Sequence, residues 1–122
     1  MRIERRYTEA GKSPYAGIEF RTTTSEIRNP DGSVVFQLKD IEVPADWSQV
    51  ACDVLAQKYF RKAGIPTKRY PVAEADVPVW LRRHAVDEAA LATLEPAQRS
   101  TGETKATQVF DRLAGTWTFW GW

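Results

Sequence analysis

The sequence has one cysteine, Cys52, and one histidine, His84, in 122 residues. A lone cysteine excludes an internal disulfide and a cysteine-rich metal site, and it fits a reducing compartment. A lone imidazole excludes histidine clusters, and any nucleophilic dyad or triad would have to use that one ring. His84 follows Arg82 and Arg83, where an ordinary, partly exposed histidine is expected. Charge of one sign is also lacking. With 17 Lys+Arg against 16 Asp+Glu, the net charge of +1 sets up no field that would gather nucleic acid or an acidic membrane. No apolar run approaches the roughly 20 residues of a bilayer span. The opening Met-Arg-Ile-Glu-Arg-Arg has no secretory apolar stretch. These absences predict a cytoplasmic protein with no membrane partner and no nucleic acid partner.

Hydrophobic residues at 43% and charged residues at 27% are ordinary for a soluble domain, and the length suits a single domain with a modest core. The pattern predicts an α+β fold: an N-terminal β-hairpin followed by a small set of helices, the last of them rich in aromatics. Residues 1–16 read as an extended arm. Residues 17–43 read as the hairpin, with Ile18, Phe20, Thr22 and Thr24 alternating with Glu19, Arg21 and Thr23 as in a half-buried strand. Asn29-Pro30-Asp31-Gly32 carries turn residues in turn order, and Val34, Phe36 and Leu38 alternate on the return.

Residues 46–63 read as a helix. Asp46 and Gln49 have capping-box spacing, and Trp47, Val50, Ala51, Val54, Leu55 and Tyr59 make an apolar stripe that Gly64 and Pro66 terminate. That helix is the expected lid of the hairpin. Residues 64–86 read as a connector, with a short helical turn near Val79 to Arg83. Residues 87–122 are the helical part. Asp87 caps a short helix that ends before Pro96, and Ser100 with Glu103 suggests a second capping box. Ala106, Val109, Phe110, Leu113, Ala114 and Trp117 then share a helix face that runs into Trp117-Thr118-Phe119-Trp120-Gly121-Trp122. Such an aromatic end predicts docking on a partner, or a chain cut from a longer one.

Chemistry is harder to find. Gly11-Lys12-Ser13 resembles the end of a phosphate loop, but Arg6 stands where that motif needs a glycine. Glu19, Glu26, Asp40 and Glu42 are expected on the solvent side of the hairpin, and none has metal-ligand spacing. Arg61, Lys62, Lys68 and Arg69 gather near the end of the central helix, where cations suit its dipole. An alternative reading makes the chain a stand-alone nucleotide- or single-strand-binding module, with Lys58, Arg61 and Arg69 on phosphates beside Tyr59, Phe60 and Tyr70. An independent enzyme is disfavoured, because nucleophiles and bases do not converge. No catalytic, cofactor-binding or metal-binding residue is expected in this segment.

Five blocks carry a resemblance. Ser25 to Phe36 (Ser-Glu-Ile-Arg-Asn-Pro-Asp-Gly-Ser-Val-Val-Phe), Ile41-Glu42-Val43-Pro44 and Trp47-Ser48-Gln49-Val50-Ala51 are followed by Leu55 to Gly64 and Gln108 to Thr118. In this order they resemble the start of the adenosylcobalamin-dependent (class II) ribonucleotide reductases. Glu103-Thr104 with Arg112 resembles the pattern that opens the helical region before that family's α/β barrel. The resemblance implies that the whole enzyme reduces ribonucleotides at the 2′ position, with adenosylcobalamin initiating a thiyl radical and two further cysteines supplying electrons. It also implies ribonucleotide substrates and dNTP effectors for the whole enzyme, and the catalytic barrel as this segment's partner. Cys52 alone cannot fill three sulfur roles, and it reads instead as a small buried or half-buried residue. The segment is therefore expected to bind no cofactor and to be structural, with Phe110, Trp117, Trp120 and Trp122 as docking residues.

Overall fold

The computed structural model describes residues 4–122; the first three residues of the expected arm lie outside the described residues. Strands β1 (Phe20–Arg28) and β2 (Val34–Pro44) form an antiparallel hairpin. Its turn is the expected one: Gly32 N–H donates to Asn29 O at 2.9 Å, Asn29 N–H donates to Ser33 O at 2.8 Å, and Gly32 sits at φ 86°, a conformation that glycine adopts without penalty. Pairing runs Thr23 to Ile41 and then Ser25 to Leu38, so Thr24 faces both Lys39 and Asp40. This is a β-bulge, with Asp40 in the left-handed region at φ 56°, which aspartate tolerates.

The inward face of β1 differs from the expectation. Thr22 and Thr24 face solvent, while Arg21 and Thr23 are half-buried and Ser25 is fully buried. Polar side chains suit this face because each finds a partner. Arg21 donates to Trp47 O at 2.9 Å, Thr23 Oγ1 donates to Gln49 Oε1 at 3.0 Å, and Gln57 donates to Ser25 Oγ at 3.5 Å. Across the hairpin, Ile41 and Val43 are wholly buried while Val34 remains exposed. The bulge adds one residue to the alternation, so half-buried Phe36 and Leu38 and fully buried Ile41 and Val43 share one apolar face of β2.

Helix α1 (Gln49–Val54) begins two residues later than the Asp46 pattern implied. Ser48 is its cap, accepting from Ala51 N–H at 3.2 Å. Gln49 instead bridges Thr24 O and Asp53. A π-helical turn, Leu55–Tyr59, follows and ends at Phe60, short of the expected residue 63. Its wider winding, with Phe60 N–H on Leu55 O at 3.1 Å, inserts one residue. That insertion puts Phe60 in the core and leaves Tyr59 outside. The buried positions are Cys52, Leu55, Ala56 and Phe60, whereas Val50, Val54 and Tyr59 are exposed.

Residues 64–86, expected as an irregular connector apart from one helical turn, also contain three short strands. β3 (Ile65–Pro66) pairs with β6 (Ser100–Thr101), and β4 (Arg69–Pro71) pairs with β5 (His84–Val86), both antiparallel. A 3₁₀ turn, Val79–Leu81, lies between β4 and β5. Asp87 caps α2 (Glu88–Ala92) by accepting from Ala90 N–H at 3.0 Å. Ser100 lies in β6 and caps nothing. Helix α3 (Ala106–Gly121) starts after Lys105, and Gln108 Oε1 accepts from the N–H groups of Thr104 and Lys105. One core joins these parts: Ile41, Val43, Cys52, Leu55, Ala56, Phe60, Ala106 and Val109, with Leu38, Trp47, Phe110 and Leu113 packed against it. α1 covers β1 and α3 covers β2, which supplies the cover that a two-stranded sheet needs. The fold is α+β, as expected.

Candidate docking surface

Helix α3 does two jobs along its length. Its first turns bury Ala106 and Val109 and pack Phe110 and Leu113 on the core. Beyond Leu113 the same face carries Trp117, 65% exposed, and Trp120, 77% exposed, and Trp122 follows at 65%. The 3₁₀ turn packs beside this helix and adds Val79 and Trp80, at 70% and 72% exposure. The far end of α3 is held in place. Trp122 Nε1–H donates to Asp76 O at 2.7 Å, and the Arg83 guanidinium lies 5.3 Å from the Phe119 ring centre. Four of the five tryptophans are thus largely exposed on ordered elements. Clustered exposed aromatic surface of this kind is what a candidate interaction site looks like. Trp80 was not singled out from the sequence, although Val77-Pro78-Val79-Trp80-Leu81 is a short apolar run that could have pointed to it.

Phe110 belongs to a different place. It is half-buried and meets Trp47 edge-to-face, with ring centres 5.7 Å apart at 61°. It lines a half-open cleft of about 320 Å³ together with Pro14, Tyr15, Ile18, Phe20, Pro44, Asp46 and Trp47. Tyr15 ties the arm to α3. Its hydroxyl donates to Asp111 Oδ1 at 2.6 Å, and partial burial, then the Asp111 hydrogen bond and charge, hold its pKa well above the ordinary phenol value.

The base of α3 is fixed by Glu103, which is 4% exposed. Its Oε1 accepts from Arg112 at 3.0 Å and from Arg61 N–H at 2.8 Å, and its Oε2 accepts from Arg112 Nε at 3.2 Å. Arg112 also donates to Tyr59 O at 2.9 Å, so one ion pair links α3 to the end of the π-helical turn. Burial alone would raise the Glu103 pKa, but the Arg112 and Arg61 hydrogen bonds and charges outweigh it and lower it. Gly102 makes this approach possible: a Cβ there would stand 2.6 Å from Lys62 O and 3.0 Å from Arg61 O.

The basic residues are distributed differently. Lys58 lies in the π-helical turn, Arg61 just beyond it, and Arg69 opens β4, all exposed. Among the described residues no side-chain hydrogen bond or ion pair draws the three together. Arg61 contributes its backbone, not its guanidinium, to the Glu103 site. Cys52 is buried, and burial raises its thiol pKa despite the Arg21 guanidinium 3.5 Å from Sγ. No group of three His, Cys, Asp or Glu side chains able to hold a metal occurs among the described residues. No helix of the described residues is long and apolar enough to cross a membrane.

Fold and surface together define an α+β segment that presents an aromatic face at the far end of its last helix. The class II vitamin B12-dependent ribonucleotide reductase family matches residues 21–122, and the chain belongs to that family. The vitamin B12-dependent ribonucleotide reductase of Agrobacterium fabrum is 65% identical over 122 residues, which is all of this chain and 10% of the relative. That of Bradyrhizobium diazoefficiens is 63% identical over the same extent, again 10% of its length. In Streptomyces avermitilis the same enzyme is 39% identical over 70 residues, 56% of this chain and 7% of the relative. The chain thus spans about a tenth of the length of the two relatives that cover it fully. The residues here do not fit the cobalamin that the family name implies. Among the described residues, two half-open clefts of about 320 Å³ each are too small to enclose a corrin.

Proposed function

We propose that this chain is the non-catalytic amino-terminal domain of a longer ribonucleotide reductase and serves as a structural and assembly element. In this reading Trp80, Trp117, Trp120 and Trp122, together with the hairpin, dock on the remainder of the polypeptide, the catalytic barrel. The whole enzyme makes deoxyribonucleotides from ribonucleotides for DNA synthesis, and adenosylcobalamin, when bound elsewhere in it, supplies the radical that starts the chemistry. Substrate and dNTP effectors are likewise handled outside this segment, in the cytoplasm.

The observation that carries the reading is the aromatic face of α3. Three tryptophans on or next to one ordered helix expose well over half of their area. Each such side chain carries roughly 150–250 Å² of mostly apolar surface, a persistent cost unless something covers it. Relatives about ten times as long have polypeptide available to do so. The chain's own residues would act by binding and positioning: Glu103 and Arg112 fix α3, and α3 offers the indoles. The test is to express the remainder of the reductase separately and titrate it with this chain. Association accompanied by a blue shift of tryptophan emission supports the reading. A chain that ignores the remainder, with its indoles still wet, refutes it.

A further inference from the structure

The cleft beside Phe110 has a construction that docking through α3 does not use. Its walls are two edge-to-face aromatic pairs. Tyr15 and Phe20 lie 6.1 Å apart at 77°, Trp47 and Phe110 lie 5.7 Å apart at 61°, and all four line the cleft. Pro14, Pro44 and Ile18 complete the lining, and Asp46 is its only ionised side chain. Aromatic faces carry negative potential and attract cations within about 6 Å of a ring centre. A carboxylate at the edge of such walls adds a charge-assisted partner. The neighbouring charges agree in sign. Exposed Glu19 lies between the lining residues Ile18 and Phe20, and Asp111 accepts from Tyr15. The nearby cation, Arg21, is committed to the Trp47 carbonyl and Cys52, and Lys12 is paired with Glu9.

We infer that this cleft is a receptor for an arginine side chain, stacked between the aromatic pairs and paired with Asp46. Arginine fits better than lysine because its planar guanidinium stacks on rings while forking onto a carboxylate. Its source is a polypeptide segment outside this chain; only that last point rests on the docking reading above. Asp46 is exposed, and its carboxylate takes part in no hydrogen bond among the described residues, so replacing it leaves the fold intact.

The experiment titrates a blocked Gly-Arg-Gly peptide into the 122-residue chain and follows the backbone amides of residues 14–20 and 44–47 and the Trp47 indole by ¹H–¹⁵N NMR. Saturable shifts confined to this set are expected. Asp46→Asn should weaken binding by roughly tenfold, the scale of one charge-assisted pair. A peptide with citrulline, the neutral isostere, should bind at least as weakly to the parent chain, and a lysine peptide should fall between. No saturable shift would overturn the inference, and so would citrulline matching arginine or shifts centred on Trp117 and Trp120. Failure here with the α3 surface still docking on the remainder would sink the arginine site alone. Peptide binding without docking would sink the assembly reading and spare the cleft.

Discussion

Replacing Glu103 with glutamine isolates the charge that fixes α3. The carboxylate is 4% exposed and takes three hydrogen bonds, two from Arg112 and one from Arg61 N–H. Glutamine keeps the size and one acceptor oxygen but loses the bidentate ion pair. Hydrogen bonds to a charged group contribute about 1.5–3 kcal/mol each, and breaking a buried pair costs about 3–5 kcal/mol. The Arg112 side chain is 26% exposed, so water partly rescues it and the lower end applies, about 2 kcal/mol. For a chain of this size that lowers the midpoint of thermal unfolding by roughly 5–10 °C.

The pH dependence provides a second, independent readout. Because the Glu103 pKa is lowered in the folded chain, its contribution is fully present above the unfolded carboxylate value of about 4.3. It is lost as pH falls through the lower folded value. Urea titrations of the parent chain and Glu103→Gln should therefore differ by about 2 kcal/mol at pH 7 and converge in acid. A difference below about 0.5 kcal/mol at pH 7, or one that persists unchanged at pH 3, would refute the argument that ionised Glu103 anchors the helix.

Gly102→Ala should destabilise the chain by about 1–3 kcal/mol, because its Cβ would collide with the Lys62 and Arg61 carbonyls; chemical denaturation reads this directly. Trp120→Ala should leave stability within about 0.5 kcal/mol while weakening association with the remainder of the reductase by roughly tenfold or more, measured by calorimetry. Cys52 should resist alkylation in the folded chain, since the thiol is buried and its pKa is raised, and should react promptly in denaturant. Nucleoside triphosphates and short single strands should give no saturable heat at low salt, because Lys58, Arg61 and Arg69 form no shared cradle; micromolar binding lost on changing Arg61 and Arg69 would revive the nucleotide-binding reading.

The sequence made several elements legible through residues whose chemistry is local. Asn29-Pro30-Asp31-Gly32 declared its turn, Asp87 its cap, and the Ala106–Val109–Leu113 spacing its helix. The hidden features depend on partners distant in the chain. Ser25 and Thr23 look like the wrong side of a strand until Gln57 and Gln49 arrive to bond them. A π-helical turn cannot be read from apolar spacing drawn at ordinary helical pitch, so Tyr59 was expected inside and Phe60 took its place. Glu103 had capping-box spacing from Ser100, yet its carboxylate serves Arg112, nine residues onward. β3 to β6 are two or three residues long and pair across up to 36 positions (Ile65 with Thr101), a separation that no local pattern reports. At the surface, the three C-terminal tryptophans announced themselves, while Trp80 gained its meaning only when the 3₁₀ turn was brought against α3.

The division of labour along α3 gives the assembly reading its physical shape. A two-stranded sheet is marginal by itself in water, and this hairpin becomes stable because α1 covers β1 and the first half of α3 covers β2. That half uses Ala106, Val109, Phe110 and Leu113 on the chain's own core. The second half buries little, and its hold on the body of the chain rests on the Trp122 hydrogen bond to Asp76 and the Arg83–Phe119 contact. Truncations before Trp117 should then separate the two functions, leaving the hairpin core folded by circular dichroism while abolishing association with the remainder. If such a truncation unfolded the hairpin, the distal indoles would belong to the chain's own stability, and their exposure would no longer argue for a partner.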